Sequence, residues 1–309
     1  MTKTVRLVSL FFAGFLASAL SFAASALTVT LEGYDTIRVA SKTADGADAA
    51  VTLVRKPWGT WNLGVLSVGG EALAGSDTDW EYVYDVYVNY PRFATEFCGG
   101  SHGGEEITAI SFADENGAAV LPSAKPYETA VLTVMETTCL VPPTLIAKSI
   151  CDVVRVYTFT DGGVTLDVKT VFTRAAFFNL SYIAMLPYNG AVERLVFTDR
   201  DGAEVSLDPK SSSPTQEGPV SRTFSGYDAA ACRVENVAGS GYDVTLTLTK
   251  AEGSIAAAVG SYAAAAVDYG AGGKIYFSRF EQRGRFFARA GTAWETACAW
   301  TWEKGKREA

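Results

Sequence analysis

Every second residue of WEYVYDVYVNY, residues 80 to 90, is apolar: Trp80, Tyr82, Tyr84, Val86, Val88 and Tyr90 fall on one side, and Glu81, Asp85 and Asn89 on the other. A repeat of two belongs to the extended chain, so this run reads as a strand with one buried face. YDVTLTLTK repeats the pattern, with Val244, Leu246 and Leu248 set against Thr245, Thr247 and Thr249. A helical repeat is nearly absent. ISFADENGAAV, YTFTDGGVTL and VFTDRDGAEVSL each place Asn-Gly, Gly-Gly or Asp-Gly between β-prone flanks, which is hairpin chemistry. About fourteen to sixteen strands can be read at the spacing of a sandwich or barrel. The expected fold is all-β, a large antiparallel two-sheet sandwich of the jelly-roll kind. It has at most a short helix, for which the alanine-rich residues 254 to 270 are the candidate.

The first 26 residues, MTKTVRLVSLFFAGFLASALSFAASA, carry Lys3 and Arg6 ahead of an apolar run and end in small residues. That is the pattern of a secretory signal peptide cleaved after Ala26, which predicts a secreted or periplasmic protein with no stable membrane anchor after cleavage. Removing Lys3 and Arg6 from the 26 basic residues leaves 24 against 34 acids, a net charge of −10. Such a surface repels nucleic acid and anionic lipid. Residues 27 to 303 then read as a single β-sandwich domain and residues 304 to 309 as a charged tail. DPKSSSPTQEGP, residues 208 to 219, reads as a long surface loop rather than a linker.

All five cysteines, Cys98, Cys139, Cys151, Cys232 and Cys298, come after the leader, where disulfides persist. Cys139 and Cys151 stand at the ends of two strand-like runs flanking LVPPTL and are the expected pair. Closing that loop stabilises by roughly 3 kcal/mol in the chain-entropy model. The absence of C-x-x-C leaves no redox motif or zinc knuckle.

His102, the one histidine, lies in EFCGGSHGGEE between four glycines. Histidine titrates near neutrality and serves as base, acid or ligand contact; equally, the glycines make a turn that happens to hold it. No spacing of ligands signals a metal, and no motif signals a cofactor. Glu105 and Glu106 enter a strand and so point to opposite faces, which rules them out as a glycosidase pair. In GKIYFSRFEQRGRFFAR, Lys274, Arg279, Arg283 and Arg285 make a basic ribbon suited to carboxylate or sulfate, or else a solvated hairpin. Tyr276 alternates away from Ile275 and Phe277, so its hydroxyl leaves the core if those two enter it. Trp294, Cys298, Trp300 and Trp302 share one face of the last strand and read as core.

The stretches HGGEE, ITAISFADENG, CDVVRVYTFTDGGVTLDV, SYIAMLPY and GGKIYFSRF together resemble secreted bacterial β-sandwiches of the concanavalin-like jelly-roll type, a group of carbohydrate-binding modules and polysaccharide lyases. The resemblance implies contact with carbohydrate, anionic polysaccharides included, by a binding or surface module. Its alternative is a lyase acting on a uronate-containing glycan by β-elimination. In that reading His102 and Tyr276 are the catalytic pair, while Arg279, Arg283, Arg285 and Lys274 bind substrate. The glutamine-x-histidine and tyrosine-x-lysine motifs of the better-known lyases are absent. A structural exported protein without ligand is the third reading.

Overall fold

Along Leu132–Leu140 the residues alternate strictly between buried and half-buried, as a two-residue repeat requires. The computed structural model describes residues 26–75, 78–88, 94–142, 148–207, 220–224, 229–252, 263–268, 272–279 and 286–306. The expected signal peptide, the 208 to 219 loop, Arg283, Arg285 and the end of the charged tail lie outside the described residues.

The chain begins with β1 (Leu27–Glu32), β2 (Thr36–Lys42), β3 (Asp48–Arg55), β4 (Trp61–Val68) and β5 (Glu71–Ala74). Next come β6 (Val83–Val88), β7 (Ala94–Cys98), β8 (Glu105–Ala113), β9 (Tyr127–Thr129), β10 (Leu132–Leu140), β11 (Cys151–Thr160), β12 (Gly163–Phe172) and β13 (Ala176–Asn189). The last third holds β14 (Arg194–Asp199), β15 (Glu204–Leu207), β16 (Val220–Phe224), β17 (Ala229–Glu235) and β18 (Tyr242–Glu252). It ends with β19 (Ala263–Asp268), β20 (Gly272–Ser278), β21 (Phe286–Ala288) and β22 (Ala293–Lys304). The part of the alanine-rich segment that is described is therefore strand β19. Short pieces such as β9 and β21, three residues each, raise the number of strands above the sequence reading because they are too brief to show a repeat.

The architecture is an all-β antiparallel sandwich, as expected, but built from three sheets. β5-β4-β3-β2-β1-β9 form a six-stranded sheet, and β15-β14-β17-β18-β22-β12-β11-β10-β8 a nine-stranded one. The third, seven-stranded, runs β16-β19-β20-β13-β6-β7, with β21 paired to β13. Hairpins form at Asp161-Gly162 and Asp201-Gly202. Asn116-Gly117 makes a turn closed by one isolated bridge, Ala113 to Ala119.

Between the seven- and nine-stranded sheets lies an aromatic core. Tyr84 packs against Phe178 and Trp294 at 5.6 and 5.7 Å, Phe172 against Trp294 at 4.6 Å, and Trp80 against Trp300 at 5.9 Å. Trp294, Trp300 and Trp302 are all buried, as read from their shared face.

The six-stranded sheet docks through buried carboxylates. Glu136 Oε1 accepts from the Trp61 amide at 2.8 Å, and Glu81 Oε1 from the Leu63 amide at 2.6 Å. Glu81 also takes the Tyr157 hydroxyl at 3.0 Å and the Asn62 side chain at 3.2 Å. Arg155 Nε donates to Glu136 Oε2, and Arg155 Nη1 lies 3.5 Å from Glu105 Oε2. Burial raises the Glu136 carboxyl above its usual range even against the nearby guanidinium. Glu81 was expected on the polar face of its strand; it is interior because the six-stranded sheet covers that position.

Cys139 and Cys151 do not form the expected pair. Cys139 is opposite Asp152 and Cys151 opposite Leu140, so the two side chains leave opposite faces of the nine-stranded sheet. Both are free thiols.

Candidate functional site

The glycine-rich stretch is the corner at which the chain leaves the seven-stranded sheet at Cys98 and enters the nine-stranded one at Glu105. Gly99, Gly100, Gly103 and Gly104 all have positive φ, from 53° to 86°, a conformation that glycine adopts at little cost. At Gly100 space matters too, since a Cβ there would collide with Asp79 Oδ1. The bare backbone thus closes over Asp79, and the Ser101 amide donates to the same carboxylate.

This closure sets His102 beside a buried anion. His102 Nε2 is 3.3 Å from Asp79 Oδ2, with side-chain exposures of 43% and 9%. The imidazole stacks on Phe97 at 4.9 Å between centroids. Burial by itself raises the Asp79 pKa, but the His102 hydrogen bond, the Lys274 charge and the Ser101 amide outweigh it and bring the value to about 2. Asp79 is therefore ionised at any physiological pH.

Lys274 completes the cluster from β20. Its Nζ stands 3.6 Å from Asp79 Oδ2 and donates to Thr78 Oγ1 at 2.9 Å. It also lies 5.3 Å from the centroid of the Tyr276 ring, a cation–π distance. Tyr276 in turn packs on Tyr182 at 4.8 Å. Ile275 and Phe277 are fully buried, so Tyr276 takes the face away from the core, as the alternation required. Strand register carries the same face onward. Ser278 pairs with Tyr182, Tyr182 with Val83, and Asp85 with Phe97. Asp85 Oδ2 accepts from Asn179 Nδ2, and the Tyr87 hydroxyl donates to Asn179 Oδ1 at 3.5 Å. This face of the seven-stranded sheet therefore carries the half-buried rings Tyr87, Phe97, Tyr182 and Tyr276 with the half-buried amide of Asn179 and, at its edge, exposed His102, while Asp79, Asp85 and Lys274 lie buried beneath them.

The fold has known counterparts. The galactosidase domain of an alpha-galactosidase–sucrose kinase superposes with a TM-score of 0.50 at 9% identity, over 86% of this chain and 40% of that one. A galactose mutarotase-like protein from Clostridium acetobutylicum has a TM-score of 0.48 at 9% identity, over 91% of this chain and 99% of that one. A GH36 alpha-galactosidase from Geobacillus stearothermophilus has a TM-score of 0.48 at 11% identity, covering 89% and 41%. The chain thus spans well under half the length of the two galactosidase structures. At such identities the likeness is one of fold. No protein-family model matches the sequence, and no curated protein matches it.

His102, Lys274 and Tyr276, singled out in the sequence, are brought together, with Asp79 joining the first two. Arg279 is not. It goes with Ile275 and Phe277 onto the core side, is 1% exposed, and lies 4.7 Å over the Trp294 ring. Asp79, Phe97 and Tyr182 escaped the sequence reading. Asp79 stands just ahead of the alternating run, and the two rings gain meaning only once β7, β6, β13 and β20 lie side by side. Among the described residues no cluster of three or more His, Cys, Asp or Glu suits a metal ion.

Proposed function

We propose that the protein binds carbohydrate through the outer face of its seven-stranded sheet, as a binding or surface module at the cell exterior or in the periplasm. One observation carries this reading: the unbroken relay Phe97–His102–Asp79–Lys274–Tyr276 sets flat apolar rings beside fixed polar groups. Sugars need both, since their C–H faces stack on rings while their hydroxyls seek hydrogen bonds. A galactosidase domain shares the fold, which makes neutral hexosides the first ligands to test. The net charge and the burial of Arg279 weigh against a strongly anionic glycan.

The lyase reading keeps one supporting observation. Asp79 engages Nε2 of His102, so Nδ1 is the nitrogen left to take a proton. Of the described basic residues of the ribbon, Lys274 already faces Asp79 and Arg279 faces the core, so neither is directed at a uronate carboxylate.

Calorimetric titration against neutral and uronate oligosaccharides separates these readings, with ultraviolet absorbance monitored for unsaturated ends. Binding without turnover, weakened about tenfold by Phe97→Ala or Tyr276→Ala, is the expected result. Silence across the panel removes the carbohydrate reading, and turnover lost in His102→Ala replaces it with the lyase.

A further inference from the structure

Cys98 and Cys151 occupy the inner surfaces of different sheets at the same corner of the sandwich. Cys98 ends β7 and pairs with Tyr84, whereas Cys151 opens β11 and pairs with Leu140 on one side and Phe172 on the other. Both have no exposed surface and share one core cluster.

Three relationships bring the two positions together. Phe172, beside Cys151, and Tyr84, beside Cys98, both pack on Phe178, at 5.4 and 5.6 Å, and on Trp294, at 4.6 and 5.7 Å. The Tyr82 hydroxyl donates across the interior to Glu105 Oε1 at 2.6 Å, and Glu105 lies in the strand row Glu105–Leu140–Cys151–Phe172. Finally, the chain itself crosses between the sheets from Cys98 to Glu105, which draws them together at this edge. Burial holds both thiols in the protonated form. The Glu105 charge raises each further, and the Cys98 sulfur raises Cys151 as well.

We propose that Cys98 and Cys151 form an inter-sheet disulfide when the chain folds in the presence of a small-molecule disulfide. Each thiol loses a proton, an Sγ–Sγ bond forms, and the two electrons released cleave the oxidant, such as oxidised glutathione, into two thiols. Because both sulfurs are sealed in the native core, the exchange belongs to folding rather than to the finished protein. The other cysteines have no such partner. Cys139 is on the outer face, while Cys232 and Cys298 stand on β17 and β22 with β18 between them.

The test folds the reduced, denatured chain in mixed reduced and oxidised glutathione, alkylates it under denaturing conditions, and reads the intact mass and the non-reduced peptide map. Two fewer alkylated thiols than the five cysteines, with one peptide joining Cys98 to Cys151, is the expected result. Five alkylated thiols, or a link through any other cysteine, would overturn it. Cys232→Ser keeps the joined peptide if the assignment is right, and its loss in that variant counts against the pair. Protein exported into an oxidising compartment, mapped in the same way, gives the same answer without refolding.

Discussion

Asp79 Oδ2 lies 3.3 Å from His102 Nε2, and a third group, Lys274 Nζ, reaches the same oxygen at 3.6 Å. The carboxylate is the hub of the site and is held well below its ordinary pKa, at about 2. A group whose folded pKa is depressed contributes stability above its unfolded pKa and loses it as pH falls through the folded value. Asp79→Asn should therefore lower unfolding free energy at pH 7 by about 2 kcal/mol. The gap to wild type should hold down to about pH 4 and close toward pH 2. Urea titrations at stepped pH check this, and a gap that persists at pH 2 would show that Asp79 acts through packing instead.

Arg279→Lys should damage the fold and spare the ligand face. Its guanidinium lies over Trp294 between the sheets, and an ammonium neither stacks nor spreads its charge in the same way. A loss of about 1 to 3 kcal/mol in stability is expected, with sugar affinity within twofold of wild type. A selective loss of affinity at unchanged stability would place Arg279 in the site after all.

Arg155→Met should be among the most destabilising single changes. It leaves Glu105 and Glu136 buried without their cation, and breaking such a pair from one side costs about 3 to 5 kcal/mol. Part of that loss should be recovered by adding Glu136→Gln, which removes one stranded charge while keeping an acceptor for the Trp61 amide. Chemical denaturation of the single and double variants measures the coupling.

Gly75→Ala should abolish folding or nearly so. Gly75 has φ of 83°, and a Cβ there would overlap the Gly64 carbonyl oxygen, which already accepts the Trp80 indole N–H at 2.9 Å. Neither backbone can retreat without disturbing the pairing of β4 with β5. By contrast, Gly117→Ala meets no atom within 4 Å and bears only the strain of its φ of 75°, so soluble yield should separate the two variants.

Strands were legible because alternation is a local property. The same rule placed Tyr276 outside the core, placed the Trp294 row inside, and split Glu105, 1% exposed, from exposed Glu106. The covering six-stranded sheet was not legible as a separate layer, since which layers stack is decided by contacts far apart in sequence. A signal for it was nonetheless present. Glu136 and Thr138 stand at the inward parity of β10, between Val134 and Leu140, and Arg155 holds the inward parity of β11. Ionic residues at apolar positions of neighbouring strands imply a buried network. The site was half legible. Residue type pointed to His102 and Lys274, but Asp79 becomes their common partner only through the fold. Arg279 misled because a basic ribbon counted by composition ignores the alternation that sends residue 279 inward with Ile275 and Phe277.

The six-stranded sheet is completed by β9, whose three residues enter from the middle of the chain to pair with β1. Residues 27 to 75 are consequently stitched to the later strands and cannot be excised as a removable module. A fragment starting after Ala74 would strip the cover from Glu81 and Glu136 and orphan β9, so engineered display or fusion formats should retain these strands intact.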